Sequence, residues 1–185
     1  MSEAANNQTG DLSSAEPEPD SRQLRVDIDL RDAAWQGHQD DLRAQAMLVW
    51  SHLALPSAEV SLVLTDSAFI AELNETYRDK KGATNVLSFP AQDFAAPVSA
   101  DALAALPAPR LLGDIVLALD VVLAEADAQG KNPDDHMHHL LIHGLLHLLG
   151  HDHVAPQAAA QMEALEISLL AAQGRPNPYL TEQAI

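Results

Sequence analysis

Seven of the chain's nine histidines, at positions 136, 138, 139, 143, 147, 151 and 153, crowd into one short stretch. Imidazole carries protons near neutral pH and is the commonest side-chain ligand of metals. For any one of these residues a packed or exposed histidine is the plainer explanation; for the set it is not. His143 and His147 stand four residues apart, which on a helix puts their Cβ atoms about 6 Å from one another on one face. Two imidazoles so placed can reach a single metal ion at ~2.0–2.1 Å. Gly150 can take the positive φ that ends a helix and turns the chain back, which lets His153 swing in as a third ligand.

A competing arrangement is the ladder His139, His143, His147 and His151. On a continuous helix it would be about 18 Å long at 1.5 Å per residue, beyond the reach of one ion, and Gly150 breaks the helix before His151. The turn-based triad is therefore preferred. Three neutral imidazoles leave the fourth position of a zinc-like ion open, which is the catalytic rather than the structural arrangement. A closed structural site would need a fourth protein ligand, for which Asp152 is the adjacent candidate. The spacing H-x-x-x-H-x-x-G-x-x-H is that of metzincin-type proteases, where a glutamate after the first histidine is the general base. Here that position is Gly144.

Composition narrows the chemistry. The chain has 185 residues and no cysteine, so disulfides and thiolate ligands are excluded and histidine and carboxylate remain. No apolar run approaches the ~20 residues of a membrane span, no secretory signal pattern opens the chain, and a cytoplasmic location is expected. The net charge of −17 argues against non-specific nucleic-acid binding, and DNA and membranes are not expected partners. The one tight basic cluster is Arg78, Lys80 and Lys81.

The elements that must position these residues follow from pattern. Residues 1–22 are acidic, polar and poor in apolar side chains, and are expected to form a disordered tail; residues 23–180 are expected to form a single domain. Leu24, Val26, Ile28 and Leu30 alternate with polar residues as in a half-buried strand, and Val60, Leu62 and Leu64 repeat the pattern. Helical spacing marks 39–54. Thr65-Asp66-Ser67 offers capping side chains for a helix through Tyr77. A basic loop, Arg78 to Asn85, leads into a short strand, Val86 to Phe89, stopped by Pro90. Residues 91–110, rich in Ala and Pro, are expected as a mobile surface loop. Ile115 to Leu119 is a buried strand, Asp120 can cap the next helix to Gly130, Asp134 and Asp135 open the histidine helix, and a last helix runs from Pro156 to before Gly174. The expected fold is α+β (α/β-like), a small, mostly parallel mixed sheet packed with helices.

The string His143-Gly-Leu-Leu-His147-Leu-Leu-Gly150-His151-Asp152-His153 resembles the YbeY family of endoribonucleases. Leu73-Asn-Glu-Thr-Tyr77-Arg78, Thr84-Asn85-Val-Leu-Ser-Phe-Pro90, Leu112-Gly113-Asp114-Ile115-Val116 and Met162-Glu163-Ala164-Leu165-Glu166 resemble further family signatures in the family's order. Two positions depart from the family pattern: Lys81 stands where an Asp is usual, and His151 where Tyr is commoner. The resemblance implies a zinc-dependent endoribonuclease, one ion per chain, that prefers single-stranded RNA. It further implies a role in maturing the 3′ end of small-subunit 16S rRNA and in late ribosome assembly, with the small subunit or assembly proteins as partners. It also gives Arg78 a catalytic role. Glutamate or aspartate groups that could orient the imidazoles are Asp152, Glu163 and Glu166, and His151 or Asp152 could act as a base; the residues themselves do not choose. A zinc hydrolase of peptides or small molecules, and a non-catalytic assembly factor with a structural metal, are the competing readings.

Overall fold

A computed structural model describes residues 22–180; the acidic stretch expected to be a tail lies outside them except for Arg22. The two alternating segments form β1 (Leu24–Leu30) and β2 (Ala58–Thr65), which pair in parallel from Leu24 opposite Ala58 to Leu30 opposite Leu64. β2 pairs in parallel with β4 (Leu111–Ala118), and β3 (Val86–Pro90) closes the far edge antiparallel to β4. The order β1-β2-β4-β3 is the small, mostly parallel mixed sheet of an α+β fold.

Among the described residues there are six α-helices: α1 (Gln39–Leu53), α2 (Ser67–Arg78), α3 (Ala100–Ala104), α4 (Leu119–Gln129), α5 (Pro133–Leu148) and α6 (Pro156–Ala171). The sheet residues Leu62, Leu64, Ile115 and Leu117 face one way, into the main core with α1, α5 and α6. Leu87, Val116 and Ala118 face the other way, against Ile70 of α2. α5 is buried on most of its surface, from His136 to Leu148. Its side chains therefore read as nearly all apolar or histidine, without the polar face of a surface helix. Fully burying residues such as Leu141 and Ile142 contributes roughly 1.5–3 kcal/mol each. No helix of the described residues is long and apolar enough to cross a membrane.

Helix starts differ from expectation in two places. α5 is capped by Asn132, whose Oδ1 accepts from the amides of Asp134 (2.8 Å) and Asp135 (3.3 Å), with Pro133 in the first turn; the two aspartates only face the positive helix end. Asp120 lies inside the first turn of α4 and caps nothing. The helix after β2 starts as expected, with Asp66 Oδ1 accepting from the Phe69 amide at 3.0 Å. The stretch 91–110 is mostly exposed but tied down. It forms α3, buries Leu103, and donates the Val98 amide to Leu149 O at 2.9 Å. Arg110 holds the carbonyls of Leu103 and Ala104, each at 2.9 Å.

The β2–β4 register shifts next to Val60, whose partner is Gly113. Gly113 has φ +128, and a Cβ there would sit 2.1 Å from Phe89 O and 2.8 Å from the Ala91 amide nitrogen. Both obstacles are backbone and cannot swing away. Gly113→Ala should therefore cost about 3 kcal/mol or more in a urea titration. Gly37→Ala, at φ +95 but with nothing within 4 Å, should cost only the backbone strain, roughly 1 kcal/mol. Equal midpoints for the two variants would show that β3 does not press on Gly113.

Candidate metal centre

α5 ends at Leu148, and Gly150 turns the chain at φ +84. A side chain could not replace this glycine even without the dihedral, because a Cβ would lie 2.7 Å from both Ala96 O and Phe94 Cβ. The His151 amide closes the turn on Leu146 O at 3.0 Å, and Asp152 Oδ1 accepts from the Val154 amide at 2.9 Å. His153 is thereby folded back over α5. Ring centroids are 4.5 Å apart for His143 and His147, 5.0 Å for His147 and His153, and 5.5 Å for His143 and His153. One nitrogen from each ring lies within 4.8 Å of the other two.

The tautomers decide what this cluster can hold. His143 Nδ1 is 2.7 Å from Glu166 Oε1, and His147 Nδ1 is 3.0 Å from His151 O. Carboxylate and carbonyl only accept, so each Nδ1 carries the proton and donates. Both Nε2 atoms are left with bare lone pairs, yet they face each other at 3.0 Å. Two lone pairs at that distance repel unless a cation lies between them, and two nitrogens on one tetrahedral zinc-type ion stand roughly 3.3 Å apart. Burial, followed by the electrostatic influence of His143 close by, lowers the pKa of His147 to about 4. His147 therefore stays in the neutral form a metal needs. The residues present fit a metal ion.

Glu166 holds this arrangement from below. It sits on α6 with no exposed side-chain surface. Burial alone would raise its pKa, but donation from His139 (3.0 Å), His143 and the Tyr179 hydroxyl outweighs it and holds the carboxyl at about 2. His139, His143 and Glu166 also lie within 4.8 Å of one another, but their facing atoms are spent on mutual hydrogen bonds. The structure thus separates candidates that the sequence left equal: Glu166 orients an imidazole, Glu163 is exposed, and Asp152 holds the turn. Two of the other histidines are paired elsewhere, His136 with Glu125 and His138 with Asp41. Tyr179 went unnoticed in the sequence, since no spacing links it to the histidines. Glu166 had a signal: it stands on the buried stripe Met162, Glu166, Leu169 and Leu170 of α6.

The trio opens into a cleft of about 320 Å³ that is also lined by Arg78, Ser88, Pro90 and Asp152. Arg78 is exposed and, among the described residues, makes no hydrogen bond or ion pair. Gly144 faces the sheet: a Cβ there would sit 2.9 Å from Ile115 Cγ2 and 3.2 Å from Ser88 Oγ. The position of a metzincin's basic glutamate is thus occupied by core.

A family model described as Endoribonuclease YbeY matches residues 31–174. The chain belongs to that family. Among curated relatives named Endoribonuclease YbeY, that of Paramagnetospirillum magneticum is 42% identical over 162 residues, covering 84% of this chain and 96% of the relative. That of Pseudomonas putida strain W619 is 44% identical, covering 85% and 96%. A Thermotoga maritima protein solved in solution shares the fold, with a TM-score of 0.51 at 18% identity, covering 88% of this chain and all of that one. The YbeY signature glycines 113, 144 and 150 all stand where a Cβ would meet a neighbour at 2.9 Å or less.

Removing the charge that orients His143 should loosen the metal centre without unfolding it. Glu166→Gln is expected to weaken zinc binding by roughly 10- to 100-fold in a competition titration with a chelating dye. Glu163→Gln, on the exposed side of the same helix, should leave it unchanged. Equal losses in both would mean that surface charge, not the hydrogen bond to His143, sets the affinity.

Proposed function

We propose that the protein is a metal-dependent endoribonuclease that cleaves single-stranded RNA, with His143, His147 and His153 holding one zinc ion and Arg78 bracing the scissile phosphate. The observation that carries this reading is the shared cleft: an arginine without a partner among the described residues faces the same space as three imidazoles whose free nitrogens converge. The family name and the names of the curated relatives support RNA as the substrate. The finer assignment rests on the resemblance of the sequence motifs: maturation of the 3′ end of small-subunit 16S rRNA and late ribosome assembly, in the cytoplasm, alongside the small subunit or its assembly proteins.

When bound, zinc supplies Lewis acidity toward a phosphate oxygen or a water. The chain supplies the rest. Glu166 and the His151 carbonyl fix the two helix imidazoles in the tautomer that presents Nε2. Arg78 ends α2, and its guanidinium fork matches two phosphate oxygens and offsets the charge that builds on them in the transition state. Lys80 and Lys81, exposed on the loop that follows, add contacts to the RNA backbone. Asp152 is the carboxylate on the cleft wall, with Oδ1 engaged by the turn. A protease reading loses ground because the glutamate it needs would have to displace Ile115.

Arg78→Glu should keep full zinc content yet cut cleavage of single-stranded RNA by ~10²-fold or more, as loss of a transition-state contact does. Arg78→Lys should recover part of the rate, since an ammonium keeps the charge and loses the fork. Chelation, or His153→Ala, should abolish both zinc and cleavage. Cleavage that survives chelation would come from another enzyme; cleavage that survives Arg78→Glu alone would place the phosphate elsewhere.

A further inference from the structure

The edge strand β3 borders the metal cleft and also a second concavity. Ser88 and Pro90 line the cleft, while Phe89 between them points to the opposite side of the sheet. There it forms a second groove, of about 420 Å³, with Phe69, Leu73 and Tyr77 of α2 and Asp114 of β4. Tyr77 packs edge-to-face on Phe89 at 5.3 Å between centroids, yet remains 67% exposed. At the far end the Arg31 guanidinium lies 4.4 Å over the Phe69 ring and is paired with Asp29 at 2.7 Å.

The groove and the cleft share both walls. Tyr77 belongs to the groove and Arg78 to the cleft, and Phe89 to the groove with Ser88 and Pro90 to the cleft. A chain that places a phosphate against Arg78 thus has an exposed aromatic surface one residue away. Charge decides which part of a nucleotide enters. The cation in the groove, Arg31, is already paired, and the Asp114 carboxylate, opposite Phe89 in the strand register, has no partner among the described residues. Carboxylates repel phosphate and accept hydrogen bonds from the amino groups on base edges. Aromatic faces stack any base.

We propose that this groove is a nucleobase subsite, in which the exposed Tyr77 ring, braced edge-to-face by Phe89, stacks one unpaired base of the RNA whose phosphate lies against Arg78. The assignment rests on the endoribonuclease reading above and adds to it a reason for preferring single strands: a base held in a duplex cannot leave its stack to enter the groove.

The test is a set of single-stranded RNA oligonucleotides of one length, each with a single abasic nucleotide scanned across the cleaved bond. They are assayed with the zinc-loaded wild type and with Tyr77→Ala, whose exposed ring can be removed without opening the core. For the wild type, one abasic position should raise KM by roughly 5- to 100-fold, the span that base stacking commands, with kcat changed little. Tyr77→Ala should show the same rise on intact RNA and no further rise with that abasic substrate, while Tyr77→Trp restores binding and zinc content stays constant in both. Wild-type cleavage that is indifferent to every abasic position, or a Tyr77→Ala enzyme that cleaves intact RNA as the wild type does, overturns the subsite and leaves the nuclease standing. Failure of the zinc-loaded wild type to cleave any oligonucleotide overturns the nuclease reading and the subsite together.

Discussion

The Glu166 carboxylate is the constraint on which the site depends. A negative charge with no exposed surface is expensive to bury unless several donors meet it. Here three donors come from two places: His139 and His143 on α5, and Tyr179 in the segment after α6. Satisfying one charge therefore fixes the spacing of two helices and draws the C-terminal segment onto them. Each donor is also constrained in return. His143 must keep its proton on Nδ1, and that decision leaves Nε2 bare toward His147. The tautomer of His143 is thus determined on the buried side of the helix, away from the cleft.

The sheet contributes by standing close. α5 lies against β3 and β4 with no side chain at Gly144, and Ser88 Oγ donates to the Gly144 carbonyl at 3.3 Å. This contact sets β3 beside the imidazoles, so that a strand edge forms one wall of the cleft. The bulge at Gly113 brings the other end of β3 against β4. Two missing Cβ atoms therefore place one five-residue strand between two functional surfaces.

Local signals were legible where a residue type has few uses. The i, i+4 pair, the turn glycine and His153 beyond it were enough to expect three converging rings, and the alternation of β1 and β2 was enough to expect their buried faces. What remained hidden was set by tertiary proximity. Tyr179 reaches Glu166 across a loop, and no pattern connects them. The sidedness of β3 could not be read from Val86-Leu87-Ser88-Phe89, because an edge strand covered on both faces loses its alternation of apolar and polar residues. Asn132, the cap of α5, is the weaker signal in the sequence beside the two aspartates after Pro133, whose role is secondary. The tethering of residues 91–110 was masked by their composition: Ala and Pro say little about where Leu103 and Arg110 will be anchored.

The turn that carries His153 has a property the helix does not. His143 and His147 project from a helix packed on most sides, whereas Asp152, His153 and Val154 are exposed, and Val154 is 89% so. Segments with few buried contacts open at far lower free energy than the whole molecule unfolds. An ion held by all three imidazoles would therefore escape through fraying of this turn, with its residence time governed there, while the rigid pair on α5 governs how strongly it is drawn back. Affinity and exchange rate become separable quantities, tuned by different stretches of the same eleven-residue motif.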